Sequence, residues 1–68
     1  MKGGFYMTVE DIYRITSPKQ NVDIYRISSL NTKDFLFIGE CRNIPLSCFD
    51  IPVSQIFTND NMLVIMIK

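Results

Sequence analysis

Apolar side chains run without interruption through two stretches of this chain, Phe35-Leu36-Phe37-Ile38 and Met62-Leu63-Val64-Ile65-Met66-Ile67. A strand with one wet face alternates apolar with polar positions, so unbroken runs predict strands shielded from water on both sides. The period changes near the N-terminus. Thr8 followed by Val9-Glu10-Asp11 reads as a helix start. The hydroxyl can accept from an amide three residues on, Asp11 can reach back, and two acids in the first turn suit the helix dipole. Val9, Ile12, Tyr13 and Ile15 supply an apolar stripe, and Thr16-Ser17-Pro18 ends it. Two turns of helix survive only by packing on a sheet.

Residues 22–28 form the first predicted strand, with Val22 and Ile24 on one face and Asp23, Tyr25 and Ile27 on the other. Asn31-Thr32-Lys33-Asp34 makes a polar hairpin loop, and residues 35–40 return as the second strand. Gly39 marks a bulge or a close approach of backbone. Pro45 opens a helical turn through Leu46-Ser47-Cys48-Phe49; residues 53–58 and 62–67 then pair around Asn59-Asp60-Asn61. The expected fold is α+β: a small four-stranded antiparallel sheet, one short N-terminal helix on one face, and a helical turn between the two hairpins. Ile12-Tyr13-Arg14-Ile15-Thr16-Ser17 nearly recurs as Ile24-Tyr25-Arg26-Ile27-Ser28-Ser29. Only the first copy carries capping signals, so it stays helical, and two short copies do not make a repeat array.

Strict alternation places Val22, Ile24, Leu36 and Ile38 on one face, and Tyr25, Ile27, Phe35 and Phe37 on the other. A two-turn helix spans about 10 Å and covers one face at most. The second face then exposes apolar side chains whose burial is worth about 1.5–3 kcal/mol each, a patch that monomers rarely leave open. Self-association through Tyr25, Ile27, Phe35, Phe37, Val64 and Met66 is the expected remedy, and a chain of 68 residues is small enough to need one.

Composition narrows the chemistry. There is no histidine, so nucleophile–imidazole pairs and the usual neutral-pH proton shuttles are absent. Cys41 and Cys48 make a poor zinc set and too small a number for a disulfide scaffold; they are expected as reduced thiols in a cytoplasmic protein. Glu10 and Asp11 are explained as helix N-terminal charges, Glu40 and Asp50 as solvated loop residues, and no phosphate-binding glycine loop is present. The expected protein is not an enzyme and carries no cofactor. Seven basic residues balance seven acidic ones, spread singly, which argues against a duplex nucleic-acid surface. The longest apolar run falls far short of a membrane span. Aromatic and cationic side chains remain as ligand-binding candidates: Tyr13, Arg14, Tyr25, Arg26, Lys33, Phe35 and Arg42, able to stack on a base or clamp a phosphate.

Read back into codons, Lys2-Gly3-Gly4 can be written AAA GGA GGT, a purine-rich ribosome-binding run, with Met7 placed as the initiator. The expectation is that residues 1–6 are a non-native or disordered tail, that 7–68 form the single domain, and that the source is bacterial or phage.

Met7-Thr8-Val9-Glu10-Asp11-Ile12, Val22-Asp23-Ile24-Tyr25, Phe37-Ile38-Gly39-Glu40, Ile44-Pro45, Val53-Ser54-Gln55-Ile56 and Leu63-Val64-Ile65-Met66-Ile67 together resemble short proteins of phages and mobile elements of Gram-positive bacteria. The resemblance spans most of the chain after Met7 and rests on core and turn positions. Asn31-Thr32-Lys33 replaces the glycine such proteins carry in the first hairpin turn. Members of that group include inhibitors of bacterial immunity. The resemblance implies a non-catalytic anti-defence protein in the host cytoplasm, one that sequesters a nucleotide-derived immune signal at an oligomer interface. The alternatives are an inhibitor or adaptor that blocks a host defence protein, or a structural accessory protein with no small ligand.

Overall fold

A computed structural model describes residues 6–68. The expected tail at residues 1–6 therefore lies, for 1–5, outside the described residues; Tyr6 is exposed. The first element is the helix α1, Val9–Ile15. Thr8 precedes it in an extended conformation, and the Asp11 carboxylate accepts from the Thr8 N–H at 2.9 Å and from its hydroxyl at 3.3 Å. These bonds tie the entering chain to the first turn. Val9 and Ile12 are buried, and the ring of Tyr13 lies 4.7 Å from that of Phe49. Ile15 does not join the stripe; it is 79% exposed. Six residues beyond Val9, it sits about 120° round the axis, off the side that faces the sheet.

Four strands follow: β1 Asn21–Ile27, β2 Lys33–Glu40, β3 Val53–Asn59 and β4 Met62–Ile67, in the spatial order β2-β1-β4-β3. The α+β class, the four strands, the single helix and the helical turns between hairpins are as the sequence predicts. Both hairpins are antiparallel, but the central pair is not: β1 and β4 run parallel, Val22 opposite Leu63 through Arg26 opposite Ile67. The cause is the connection. β2 and β3 are the two edges and run in the same direction, so residues 41–52 must cross over between them. That crossing contains 3-10 turns at Cys41–Asn43 and Leu46–Cys48 and delivers β4 to the sheet centre beside β1. A central strand explains the unbroken apolar run of β4, in which Val64, Ile65 and Ile67 are all buried.

The turns draw on residues that tolerate the left-handed region. Asn31 (φ 62°) takes the place a glycine would occupy in the first hairpin, and the Ser28 hydroxyl lies 2.7 Å from that of Thr32. Asp60 and Asn61 (φ 49° and 65°) form the two-residue loop of the second hairpin, as type I′ geometry requires.

One face of the sheet is covered by α1 and the crossing. The core consists of Val9, Ile12, Val22, Ile24, Cys41, Ile44, Cys48, Ile65 and Ile67, and Tyr13, Leu36, Phe37, Phe49, Ile51, Val53 and Leu63 pack against it. Backbone bonds from Val9 N–H to the Ile51 carbonyl (3.1 Å) and from Glu10 N–H to that of Phe49 (3.2 Å) fasten the helix to the crossing.

Here the alternation expected for β2 fails. Ile24 pairs with Phe37 while Tyr25 pairs with Phe35, so Leu36 is an extra residue bulged from the ladder. A bulge resets the parity of the strand. Leu36 and Phe37 therefore both pack on the core, and Ile38 moves to the face of Asp23, its strand partner. The expectation of Phe37 beside Tyr25 and Phe35 is corrected by this single residue. Gly39 fits the same local repacking: a Cβ there would meet the Phe37 ring at 3.0 Å.

Candidate functional site

The face opposite the helix has no covering element among the described residues. Strand register gathers on it Asp23, Tyr25 and Ile27 from β1, Phe35 and Ile38 from β2, Val64 and Met66 from β4, and Phe57 from β3. Phe35 and Ile38 are more than half exposed, at 55% and 57%; Ile27 and Phe57 are exposed as well. Tyr25 and Val64 are buried on the same face because their neighbours close over them. The ring of Phe35 lies 5.9 Å from that of Tyr25, and the Lys33 ammonium sits 4.8 Å above the Tyr25 ring. Cation–π attraction favours the ammonium in this position over the Tyr25 ring.

A charge interrupts this apolar surface. Asp23 carries a buried carboxylate oxygen, Oδ1, that has no hydrogen-bond partner among the described residues. Such an oxygen gives up water and receives nothing in return, at a cost of about 1–3 kcal/mol or more for a charged group. Asp23 lies between Ile38 on β2 and Val64 on β4.

Of the residues expected at an oligomer interface, Tyr25, Ile27, Phe35, Val64 and Met66 share the open face, and Phe37 does not. Ile38, Phe57 and Asp23 belong to the face and were not among the expected interface residues, although alternation along the first strand already put Asp23 on the side of Tyr25 and Ile27. For Asp23 the pattern held a signal: an acid between Val22 and Ile24 in a strand apolar on both sides. Gly39 marked a bulge or close approach in this strand, but the bulge that brings Ile38 there falls at Leu36, three residues earlier.

The expected ligand-binding residues divide into two groups. Tyr25, Lys33 and Phe35 lie together on the open face. Tyr13, Arg14 and Arg42 line a cleft of about 260 Å³ on the helix side, with Thr16, Pro18 and Cys41. Arg26 joins neither; its register places it on the side of Val22 and Ile24, exposed near the end of β1. Both arginines of the cleft are engaged on the surface, Arg14 with Glu10 at 3.2 Å and Arg42 with Glu40 at 2.7 Å. Exposed pairs of this kind are weak, so an anion can compete for either guanidinium. Burial pushes the Cys41 thiol in the cleft above its ordinary value, which keeps it protonated at neutral pH. Both cysteines are free and buried. Among the described residues no group of His, Cys, Asp and Glu is arranged to hold a metal ion, and no helix is long and apolar enough to cross a membrane.

Comparison with protein-family models, curated proteins and solved structures finds no match to this chain.

Proposed function

We propose that this chain is a non-catalytic binding protein that works through the open face of its sheet, and that the face associates with a second copy of the chain. The single observation behind the reading is the apolar surface formed by Ile27, Phe35, Ile38 and Phe57 with Tyr25, Val64 and Met66 beneath and between them. Face-to-face sheet packing is the ordinary way to dry such a surface. In the phage or mobile-element setting implied by the resemblance, a protein of this kind acts by occupying a component of host defence rather than transforming it. Sedimentation of the full chain over a range of concentrations tests the reading. A concentration-dependent dimer is expected; a single-chain species throughout would overturn it.

A second reading has its own support. The Tyr13, Arg14 and Arg42 cleft supplies an aromatic ring and two guanidinium groups around a cavity sized for part of a nucleotide. Sequestration of a nucleotide-derived signal belongs there, away from the open face. Calorimetric titration with cyclic dinucleotides and ADP-ribose derivatives tests it: saturable binding lost in Arg42→Ala is expected, and absence of heat with every compound would exclude it.

A further inference from the structure

Two charged side chains stand on the open face without an ionic partner among the described residues: Asp23, with its orphaned Oδ1, and Lys33, whose ammonium rests over Tyr25. We infer that they pair with each other between two copies, Asp23 of one with Lys33 of the other, twice per dimer. This rests on the self-association proposed above and specifies its register.

Within one chain the two cannot meet. Lys33 pairs with Ile27, four residues along β1 from Asp23. At about 3.3 Å per residue that is a separation of about 13 Å. Tyr25 lies midway between Asp23 and Ile27, and all three side chains point to the open face. Consider two such faces stacked about a two-fold axis that lies between them, crosses the strands at right angles, and passes at the level of Tyr25. Each strand then runs over its own copy in the opposite direction. The level of Asp23 in one copy falls on the level of Ile27 and Lys33 in the other. Stacked sheets are about 10 Å apart, a gap that a lysine and an aspartate span together.

The occupant is identified by charge. A wholly apolar partner would bury the Asp23 carboxylate without a donor, which is disfavoured more strongly than leaving the face wet. A second copy brings one lysine for each orphaned acid, at positions that the same symmetry operation exchanges. Four strands of about six residues give a footprint of about 400 Å², smaller than the ~800 Å² per partner of a standard interface. The two ion pairs set the register of the association.

Sedimentation equilibrium on the full-length chain and its charge variants tests the pairing, with circular dichroism confirming that each variant is folded. Asp23→Lys and Lys33→Glu, each alone, are expected to weaken the dimer about tenfold or more, and the double substitution to restore it. The decisive sample is an equimolar mixture of the two single variants. Each places like charges opposite each other in its own homodimer, whereas the mixed dimer is complementary at both pairs, so mixing is expected to recover association. If the wild-type chain dimerises but is indifferent to both substitutions, or if mixing gains nothing, the pairing is wrong while self-association stands. A wild-type chain that stays monomeric overturns both. Should Asp23→Lys fail to fold, Asp23→Asn and Lys33→Met carry the test: each keeps the side-chain shape, removes one charge, and is expected to weaken the dimer several-fold; unchanged affinity in both overturns the pairing.

Discussion

The two sides of this sheet are built from the same strands and end in opposite conditions. On the helix side, Ile24 and Ile65 are paired neighbours with no exposed surface, sealed by α1 and the 41–52 crossing. On the other, Phe35 and Ile38 remain more than half exposed, although they are as apolar as anything in the core. Hydrophobicity of the strand residues does not distinguish the two sides. The difference lies in what lies over each: among the described residues, a two-turn helix and two 3-10 turns cover one face of the four-stranded sheet and no element covers the second. A small domain thus completes one core and presents the other half-made.

This contrast can be broken most forcefully from the sealed side. Ile24→Ala or Ile65→Ala should cost about 2–5 kcal/mol, because neither site can collapse around the lost atoms. That is most of the stability a domain of this size commands, so either variant is expected to be largely unfolded at 25 °C by far-UV circular dichroism. Gly39→Ala comes next. Its Cβ would press on the Phe37 ring, which is itself held by the core, and a loss of about 1–3 kcal/mol in urea denaturation is expected. Combining it with Phe37→Leu should cost less than the sum of the two single changes, which checks that the contact is the cause.

A smaller effect concerns alkaline pH. Burial raises the Cys41 thiol above its ordinary value of 9.0, so the folded chain keeps a proton that the unfolded chain releases first. Where the unfolded state binds fewer protons, stability falls as pH rises. The contribution of Cys41 is thus fully present below pH 9.0 and is lost progressively above it. Denaturation midpoints measured upward from pH 8 should decline in the wild type more than in Cys41→Ala. The smallest effect on folding is expected on the open side. Phe35→Ser combined with Ile38→Ser should leave monomer stability within about 0.5–1 kcal/mol, since these side chains gain little burial in a single chain, while abolishing self-association. A large destabilisation measured at low protein concentration would show that the two faces are less different than their exposure indicates.

Much of the fold is legible in the residues. Thr8, Asp11 and Pro18 bound the helix, Asp60 and Asn61 make the second hairpin, and the six-residue apolar run is a strand wet on neither side. Those signals are local, arising within a few residues of where they act. The open face was legible in outline, since Tyr25, Ile27, Phe35, Val64 and Met66 follow from alternation. Phe37 and Ile38 were not, because one bulged residue at Leu36 inverts the parity of everything before or after it. The cleft of Tyr13, Arg14 and Arg42 escaped recognition as a unit because its residues come from α1 and the crossing, far apart in sequence.

By itself, then, the sequence determined the elements, their ends and their apolar character, all of which are set by short-range sterics, capping and turn chemistry. Only the tertiary structure decided that β1 and β4 lie parallel at the centre and that the bulge sends Ile38 outward. It also decided that Asp23 Oδ1, among the described residues, is buried without a hydrogen-bond partner. Each of these depends on how a long crossing closes and which surfaces it happens to cover. That outcome is a balance of burial over the whole chain, to which no single stretch of residues holds the key.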